Sequence, residues 1–96
     1  MEFLSRMGYI HRDLATRNCL VGDQQIVKIA NFASMQNQYD RDYYTLSSRS
    51  RVPLRWLSKE ALQESRYTFS SDVYSFGVVL WEIYTYGRQP YEGFSN

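Results

Sequence analysis

Residues 70–86 constrain the fold most, because they have the spacing of a helix and are apolar on nearly every side. The apolar residues of this segment are Val73, Phe76, Val78, Val79, Leu80, Trp81, Ile83 and Tyr84. Ser70, Ser71 and Asp72 offer N-caps at its start. Gly87 is a helix stop directly after it. A helix that is apolar around most of its circumference must be covered by other elements, so we expect it at the centre of the fold.

The composition limits the core and the class of partner. The chain has 96 residues, 44% of them hydrophobic, with a formal net charge of +1. We therefore expect a thin core in one small domain or in a piece of a larger one. A nearly neutral chain offers no basic face for nucleic acid and no polybasic membrane anchor, and no apolar run suits a signal peptide or a membrane span. The single cysteine, Cys19, excludes an internal disulfide, and a small buried residue is a simpler interpretation of it than a reactive thiol.

Residues 11–18 read H-R-D-L-A-T-R-N and bring an imidazole, a carboxylate, two guanidinium groups and a carboxamide together. Asp13 can accept a proton, and the side-chain oxygen of Asn18 suits a hard cation such as magnesium. Arg12 and Arg17 supply fixed positive charge for a phosphate or a carboxylate. This mixture favours phosphoryl-transfer chemistry, and a polar surface loop is the alternative.

Two short elements flank this loop. Residues 1–7 have helical spacing and are followed by Gly8, which predicts the last turns of a helix. After the loop, residues 19–21 and 26–30 have the character of strands, and Gly22-Asp23 between them is a turn signal. These residues predict a small β-hairpin next to the loop.

A polar stretch follows at residues 34–51, where Tyr39, Tyr43 and Tyr44 are separated by charged and small residues. Such a stretch is typical of an exposed loop, and its tyrosines are accessible to an enzyme. Three surface tyrosines without a further role are the alternative interpretation.

Several segments together resemble the catalytic domain of receptor tyrosine kinases. H-R-D-L-x-x-x-N is the catalytic-loop signature of protein kinases, and the form R-D-L-A-x-R-N, which contains Arg17, is similar to the tyrosine-specific version. Further segments of this kind are V-K-I-A-N-F-A, D-Y-Y, V-P-L-R-W, S-D-V-Y-S-F-G-V-V-L-W-E-I and Y-G-R-Q-P-Y-E-G-F-S-N. They most resemble the Trk, MuSK and Ror branch, with the discoidin-domain receptors nearby.

This resemblance implies a partial protein-kinase-like α+β fold, a mainly α-helical C-lobe fragment with a small β-hairpin beside the catalytic loop. Residues 1–96 would then hold the end of helix E, the catalytic loop, the activation segment and helix F of the family. The N-lobe, with its glycine-rich loop and phosphate-contacting lysine, and the remaining C-lobe helices are expected outside this chain.

The resemblance also implies catalytic roles for Asp13, Arg17 and Asn18. Asp13 would deprotonate the attacking tyrosine hydroxyl, and Asn18 would hold magnesium on the phosphates of ATP. Residues expected to support the site structurally are His11, Arg12, Phe32, Glu60 and Asp72. Of these, Asp72 is expected to accept hydrogen bonds from the backbone of the catalytic loop, and a simple N-cap is the alternative.

A substrate segment and modification sites follow from the same resemblance. The residues expected to receive the peptide substrate are Pro53, Leu54, Arg55 and Trp56. An ordinary proline-initiated turn with a buried tryptophan is the alternative.

The expected phosphorylation sites are Tyr39, Tyr43 and Tyr44. A phosphate there adds close to two negative charges, which Arg12, Arg49 and Arg51 can pair with to order the loop.

Asn31-Phe32-Ala33 depart from the family, which reads D-F-G at this place. The family aspartate chelates magnesium, and Asn31 keeps one neutral oxygen but lacks the negative charge, so we expect weakened binding of ATP and Mg²⁺. Ala33 adds a methyl group where glycine takes positive φ at no steric cost, which restricts the backbone. An asparagine that ends a strand and opens a turn is the alternative interpretation of Asn31.

The function implied by the resemblance is transfer of the ATP γ-phosphate to protein tyrosine, with ATP and Mg²⁺ as cofactors. The parent would be a dimerising single-pass receptor with this segment on the cytoplasmic side of the plasma membrane. It would phosphorylate protein tyrosines, including its own in trans, and bind phosphotyrosine-binding adaptors. The 96-residue chain alone is expected to be inactive. The alternatives are a pseudokinase docking or allosteric module in Wnt- or neurotrophin-type receptor signalling, and a truncated product without function.

Overall fold

The computed structural model describes residues 1–30, 44–45 and 51–94. The elements in chain order are α1 (Glu2–Arg6), β1 (Cys19–Val21), β2 (Val27–Ile29), β3 (Tyr44–Thr45), β4 (Arg51–Val52), α2 (Lys59–Glu64) and α3 (Phe69–Tyr84). Short 3-10 turns occupy Thr16–Asn18, Asp23–Gln25 and Leu54–Trp56. Helix α1 ends before Gly8, whose φ of +68° is a conformation that glycine adopts easily, so the predicted helix stop is confirmed.

The predicted hairpin is present next to residues 11–18. Strands β1 and β2 pair antiparallel, with Cys19 opposite Ile29. Strand β2 is shorter than the predicted 26–30 because Ile26 closes the turn: its carbonyl accepts from the Gly22 N–H at 2.7 Å. A second antiparallel pair, β3 with β4, places Tyr44 opposite Val52.

Helix α3 begins earlier than the sequence predicted. Its N-cap is Thr68, whose hydroxyl accepts from the Ser71 N–H at 3.3 Å, while the Ser71 hydroxyl accepts from the Thr68 N–H at 2.9 Å. The prediction that Ser70, Ser71 or Asp72 is the N-cap is therefore wrong, because this reciprocal pair places the N-cap at Thr68, two residues before Ser70. After Tyr84 the chain leaves the helix before Gly87, which has a φ of +88°.

The two sides of α3 differ in polarity and in burial. The buried residues of α3 are Ser71, Asp72, Ser75, Val79 and Glu82. The large apolar residues of α3 that stay exposed are Val73, Tyr74, Leu80, Trp81, Ile83 and Tyr84. Helix α3 therefore packs with a mainly polar face on the 3-10 turns at 16–18 and 54–56, and the expected burial on all sides is not seen in the described part of the chain.

The apolar core is thin, as the composition predicted. Leu14 and Ala15, within the loop at residues 11–18, are buried at 1% and 0% exposure. A second cluster consists of Val52, Leu57 and Ala61, with Leu62 and Tyr67 packed against it. Among the described helices, none combines the length and apolar character needed to cross a bilayer.

Candidate active site

The loop at residues 11–18 is anchored from α3 by the Asp72 carboxylate. One oxygen, Oδ2, accepts from the His11 N–H at 2.6 Å, and Oδ1 accepts from the Arg12 N–H at 3.0 Å. Asp72 is only 1% exposed, so these backbone groups replace the water that a buried carboxylate needs. Arg12 has a φ of +78°, which non-glycine residues rarely adopt, and the two hydrogen bonds hold the backbone in this strained state.

The buried His11 ring connects the loop to the hairpin. Its Nδ1 accepts from the Asp13 N–H at 3.1 Å, and its Nε2 lies 2.8 Å from the carbonyl oxygen of Ala30. Both contacts are satisfied by the neutral ring with its hydrogen on Nε2. His11 therefore fixes the backbone at Asp13 relative to the end of β2.

Asp13 and Arg17 form an ion pair inside the protein. The Arg17 Nη2 lies 2.5 Å from Oδ1 of Asp13, and the side chains are 5% and 6% exposed. The guanidinium also lies over Trp56, with Cζ 4.6 Å from the centre of the indole ring. Arg17 thus contacts both a carboxylate and an aromatic face, and it fixes the orientation of the Asp13 carboxylate.

Asn18 is buried beside Asp13, as the sequence spacing predicted. Its side-chain Nδ2 donates to the backbone carbonyl oxygen of Asp13 at 2.7 Å. The backbone carbonyl oxygen of Asn18 accepts from the Ala30 N–H at 2.7 Å. This amide orientation makes Oδ1 the atom of Asn18 that suits a hard cation. A carboxamide oxygen is a donor that Mg²⁺ accepts in proteins, so the chemistry of Asn18 fits a magnesium ligand. The described residues contain no group of three or more His, Cys, Asp or Glu side chains that could hold a metal, here or elsewhere.

The residues of segment 53–56 contact the protein differently. Pro53 and Trp56 are buried, whereas Leu54 and Arg55 are partly exposed. The Arg55 guanidinium donates to the carbonyl oxygens of Pro90, Tyr91 and Phe94, at 2.7, 2.6 and 2.5 Å. Arg55 therefore holds the segment after α3 in place.

Glu82 is the site residue that the sequence analysis missed. Its Oε1 accepts from the Thr16 N–H at 3.0 Å and from the Trp56 Nε1–H at 2.7 Å, and Oε2 accepts from the Thr16 hydroxyl at 2.7 Å. The available signal was a carboxylate within the apolar run V-V-L-W-E-I, because a charge there has to be paired.

Comparison with known proteins decides the family. The model of the family described as "Protein tyrosine and serine/threonine kinase" matches residues 1–96. The chain belongs to this kinase family. It is 53% identical to the tyrosine-protein kinase transmembrane receptor Ror of Drosophila melanogaster, over 100% of the chain and 14% of that receptor. It is 48% identical to the high affinity nerve growth factor receptor of Gallus gallus and 47% identical to the BDNF/NT-3 growth factors receptor of the same species, over 100% of the chain and 12% of each.

These matches confirm the resemblance to receptor tyrosine kinases of the Ror and Trk type and the partial kinase-like fold. The chain spans only 12 to 14% of the length of these relatives. The assignment of α3 to helix F and of residues 11–18 to the catalytic loop stays a prediction from the resemblance.

The remaining predicted residues of the kinase site are located as follows. Glu60 lies in the first turn of α2, which Ser58 caps by accepting from the Ala61 N–H at 3.4 Å. The Arg12 guanidinium lies 5.2 Å from the centre of the Tyr67 ring. Tyr44 and Arg51 are described only as backbone in β3 and β4. The predicted residues outside the described part of the chain are Asn31, Phe32, Ala33, Tyr39, Tyr43 and Arg49.

Proposed function

We propose that this chain is part of the catalytic domain of a receptor-type protein tyrosine kinase, which transfers the γ-phosphate of ATP to tyrosine hydroxyls of proteins. The buried pair of Asp13 and Arg17 is the observation that carries this proposal. A carboxylate fixed by a guanidinium, in a loop anchored by Asp72, is suited to orient one hydroxyl and to accept its proton.

Each loop residue has a defined task in this proposal. Asp13 orients the tyrosine hydroxyl and takes its proton, while Arg17 keeps the carboxylate in one orientation. Asn18 would hold magnesium through Oδ1, with Asn31 as a second and weaker ligand. When bound, ATP supplies the phosphoryl group and Mg²⁺ neutralises the charge of the phosphates. The peptide substrate would lie along segment 53–56.

The wider context of the proposal comes from the relatives. Since the Drosophila relative is named a transmembrane receptor, we place this segment on the cytoplasmic side of a single-pass receptor that dimerises. Phosphorylation of Tyr39, Tyr43 and Tyr44 in trans would regulate the kinase and recruit phosphotyrosine-binding adaptors. The N-lobe and the remaining C-lobe would come from the rest of the receptor. The 96-residue chain alone would then be inactive.

The proposal is tested by peptide phosphorylation with the complete kinase domain that contains this chain. Asp13→Asn should lower kcat by about 10² to 10⁴-fold, the usual contribution of positioned proton transfer. Asp23→Asn is the matched control, because Asp23 is exposed in the hairpin turn, and it should leave kcat unchanged. Undiminished phosphate transfer by the Asp13→Asn domain would contradict the proposal.

A second candidate function is that of a pseudokinase, and Asn31-Phe32-Ala33 in place of D-F-G favours it. In this case the domain would act as a docking or allosteric module that carries phosphotyrosines. A calorimetric titration with ATP separates the two functions, because a working kinase gains affinity for ATP when Mg²⁺ is added and a pseudokinase does not.

The double change Asn31→Asp and Ala33→Gly should raise a weak kinase activity if the defect lies only in these residues. Cooperative unfolding of the 96-residue chain would argue against a truncated product without function.

A further inference from the structure

Glu82 is a buried charged group to which the proposed reaction gives no task. It is 6% exposed, and its carboxylate accepts from Thr16 in the catalytic loop and from Trp56 in segment 53–56. A buried carboxylate is costly unless its oxygens are hydrogen-bonded. Glu82 therefore stabilises the fold only while both segments keep their present positions.

Trp56 contacts both Glu82 and Arg17 and so connects the two residues. The indole N–H points to the Glu82 carboxylate, and the indole face carries the Arg17 guanidinium at 4.6 Å. A hydrogen bond from the N–H to a negative charge polarises the indole, which makes its face more attractive to a cation. The same guanidinium binds Asp13 at 2.5 Å. A continuous set of contacts thus runs from Glu82 through Trp56 and Arg17 to Asp13.

The second contact of Glu82 reaches the catalytic loop directly. The Thr16 N–H and hydroxyl bind the two carboxylate oxygens, and Thr16 opens the 3-10 turn that carries Arg17 and Asn18. In addition, the Ser75 hydroxyl donates to the Trp56 carbonyl at 2.7 Å, so α3 holds the backbone of Trp56 as well as its ring.

We propose that Glu82 is a positioning residue that couples the peptide-binding segment to the catalytic carboxylate. By holding Trp56 and Thr16 together, it keeps Arg17 in the orientation that aims Asp13 at the substrate hydroxyl. A peptide that displaces segment 53–56 would therefore change the orientation of Asp13. This inference rests on the proposed kinase function.

Two substitutions separate this role from simple filling of space. Glu82→Gln keeps the size and one acceptor oxygen but removes the charge. Trp56→Phe keeps an aromatic face for Arg17 but removes the N–H that binds Glu82. If Glu82 acts through Trp56, the effect of Glu82→Gln should shrink when phenylalanine is present.

Peptide phosphorylation kinetics of the complete kinase domain test the coupling. Glu82→Gln should lower kcat about tenfold, within the range for residues of one hydrogen-bond network, and leave the KM for ATP unchanged. In the Trp56→Phe background the loss should fall below about threefold. Glu92→Gln, an exposed acid after α3, is the control and should leave kcat unchanged. Equal loss in both backgrounds, or no loss, would overturn the inference.

A measurement without catalysis keeps this inference separate from the proposed function. In NMR spectra of the complete domain, the Arg17 Nε–H should exchange slowly with water, and Glu82→Gln should speed this exchange about tenfold while amide exchange within α3 stays unchanged. Unchanged Arg17 exchange would refute the coupling even in an active kinase. Faster exchange in a domain that transfers no phosphate would retain the coupling and refute the kinase function.

Discussion

The two sides of helix α3 carry different kinds of side chain. The side that faces the loop at residues 11–18 carries Asp72, Ser75 and Glu82, whereas the side that faces away carries Val73, Trp81 and Ile83. The inward side has to supply acceptors, because the loop and the 3-10 turns leave backbone N–H groups that no strand or helix satisfies. Apolar character alone therefore does not tell which side of a helix meets its neighbours.

The outward side of α3 is exposed and borders a groove. Val73, Tyr74, Trp81, Pro90 and Tyr91 contribute to a groove of about 620 Å³ between α3 and the segment that follows it. An ion pair of Arg88 and Glu92 lies at the same groove, with side chains 62% and 54% exposed. It has the same i, i+4 spacing as Asp13 and Arg17, so an exposed pair and a buried pair of equal spacing can be compared.

The largest expected effect comes from breaking the buried pair. Arg17→Met should destabilise the complete domain by about 3 to 5 kcal/mol, because it leaves the Asp13 carboxylate buried without its cation. Arg88→Met, the matched change in the exposed pair, should cost less than about 0.5 kcal/mol. Urea denaturation measures both, and equal losses would contradict the contrast between the two sides.

Removal of the inward anchor should have the next largest effect. Asp72→Ala leaves the His11 and Arg12 N–H groups without an acceptor, and we expect a loss of about 2 to 4 kcal/mol. Ser70→Ala, an exposed position in the same turn, should change the stability by less than about 0.5 kcal/mol. A thermal melt in which both variants unfold at the same temperature would show that Asp72 does not hold the loop.

Substitutions on the outward side should change surface properties more than stability. Trp81→Lys with Ile83→Lys should lower the fluorescence of a dye that binds exposed apolar surface, measured on the 96-residue chain. Gln63→Lys adds a charge at an exposed polar position and serves as the control. Unchanged dye fluorescence in the double variant would mean that the outward side of α3 is not the exposed apolar surface.

The smallest expected effect concerns Cys19. Burial raises the pKa of the Cys19 thiol, and the negative charge of Glu82 raises it further. A raised pKa lowers the thiolate fraction at pH 8, so iodoacetamide should modify Cys19 more slowly than a cysteine in an unfolded peptide. The difference should shrink as the pH rises, and Glu82→Gln should speed the reaction. Equal rates for the folded chain and the peptide would contradict the raised pKa.

The sequence predicted the parts of the site that depend on local spacing. The hairpin, the end of α1 and the proximity of Asp13 to Asn18 follow from turn residues and from a short loop. The hydrogen bonds from the loop to Asp72 were expected only from the family resemblance, because spacing along the chain does not relate residues so far apart.

Contacts set by tertiary packing could not be predicted. The role of Glu82 depends on Trp56 and Thr16, which are distant from it in the chain, and on a helix rotation that turns a polar stripe inward. The cap at Thr68 was missed because Ser70, Ser71 and Asp72 are equally good capping residues, and only the geometry selects among them.

The anchoring of the loop by Asp72 has a consequence for protein synthesis. His11 and Arg12 are separated from Asp72 by 61 and 60 positions, so the ribosome adds their acceptor long after the loop itself. At about 5 to 20 residues per second, the nascent loop waits for several seconds without the group that gives it its shape. During that interval a chaperone or a protease meets a loop that is already translated but not yet folded.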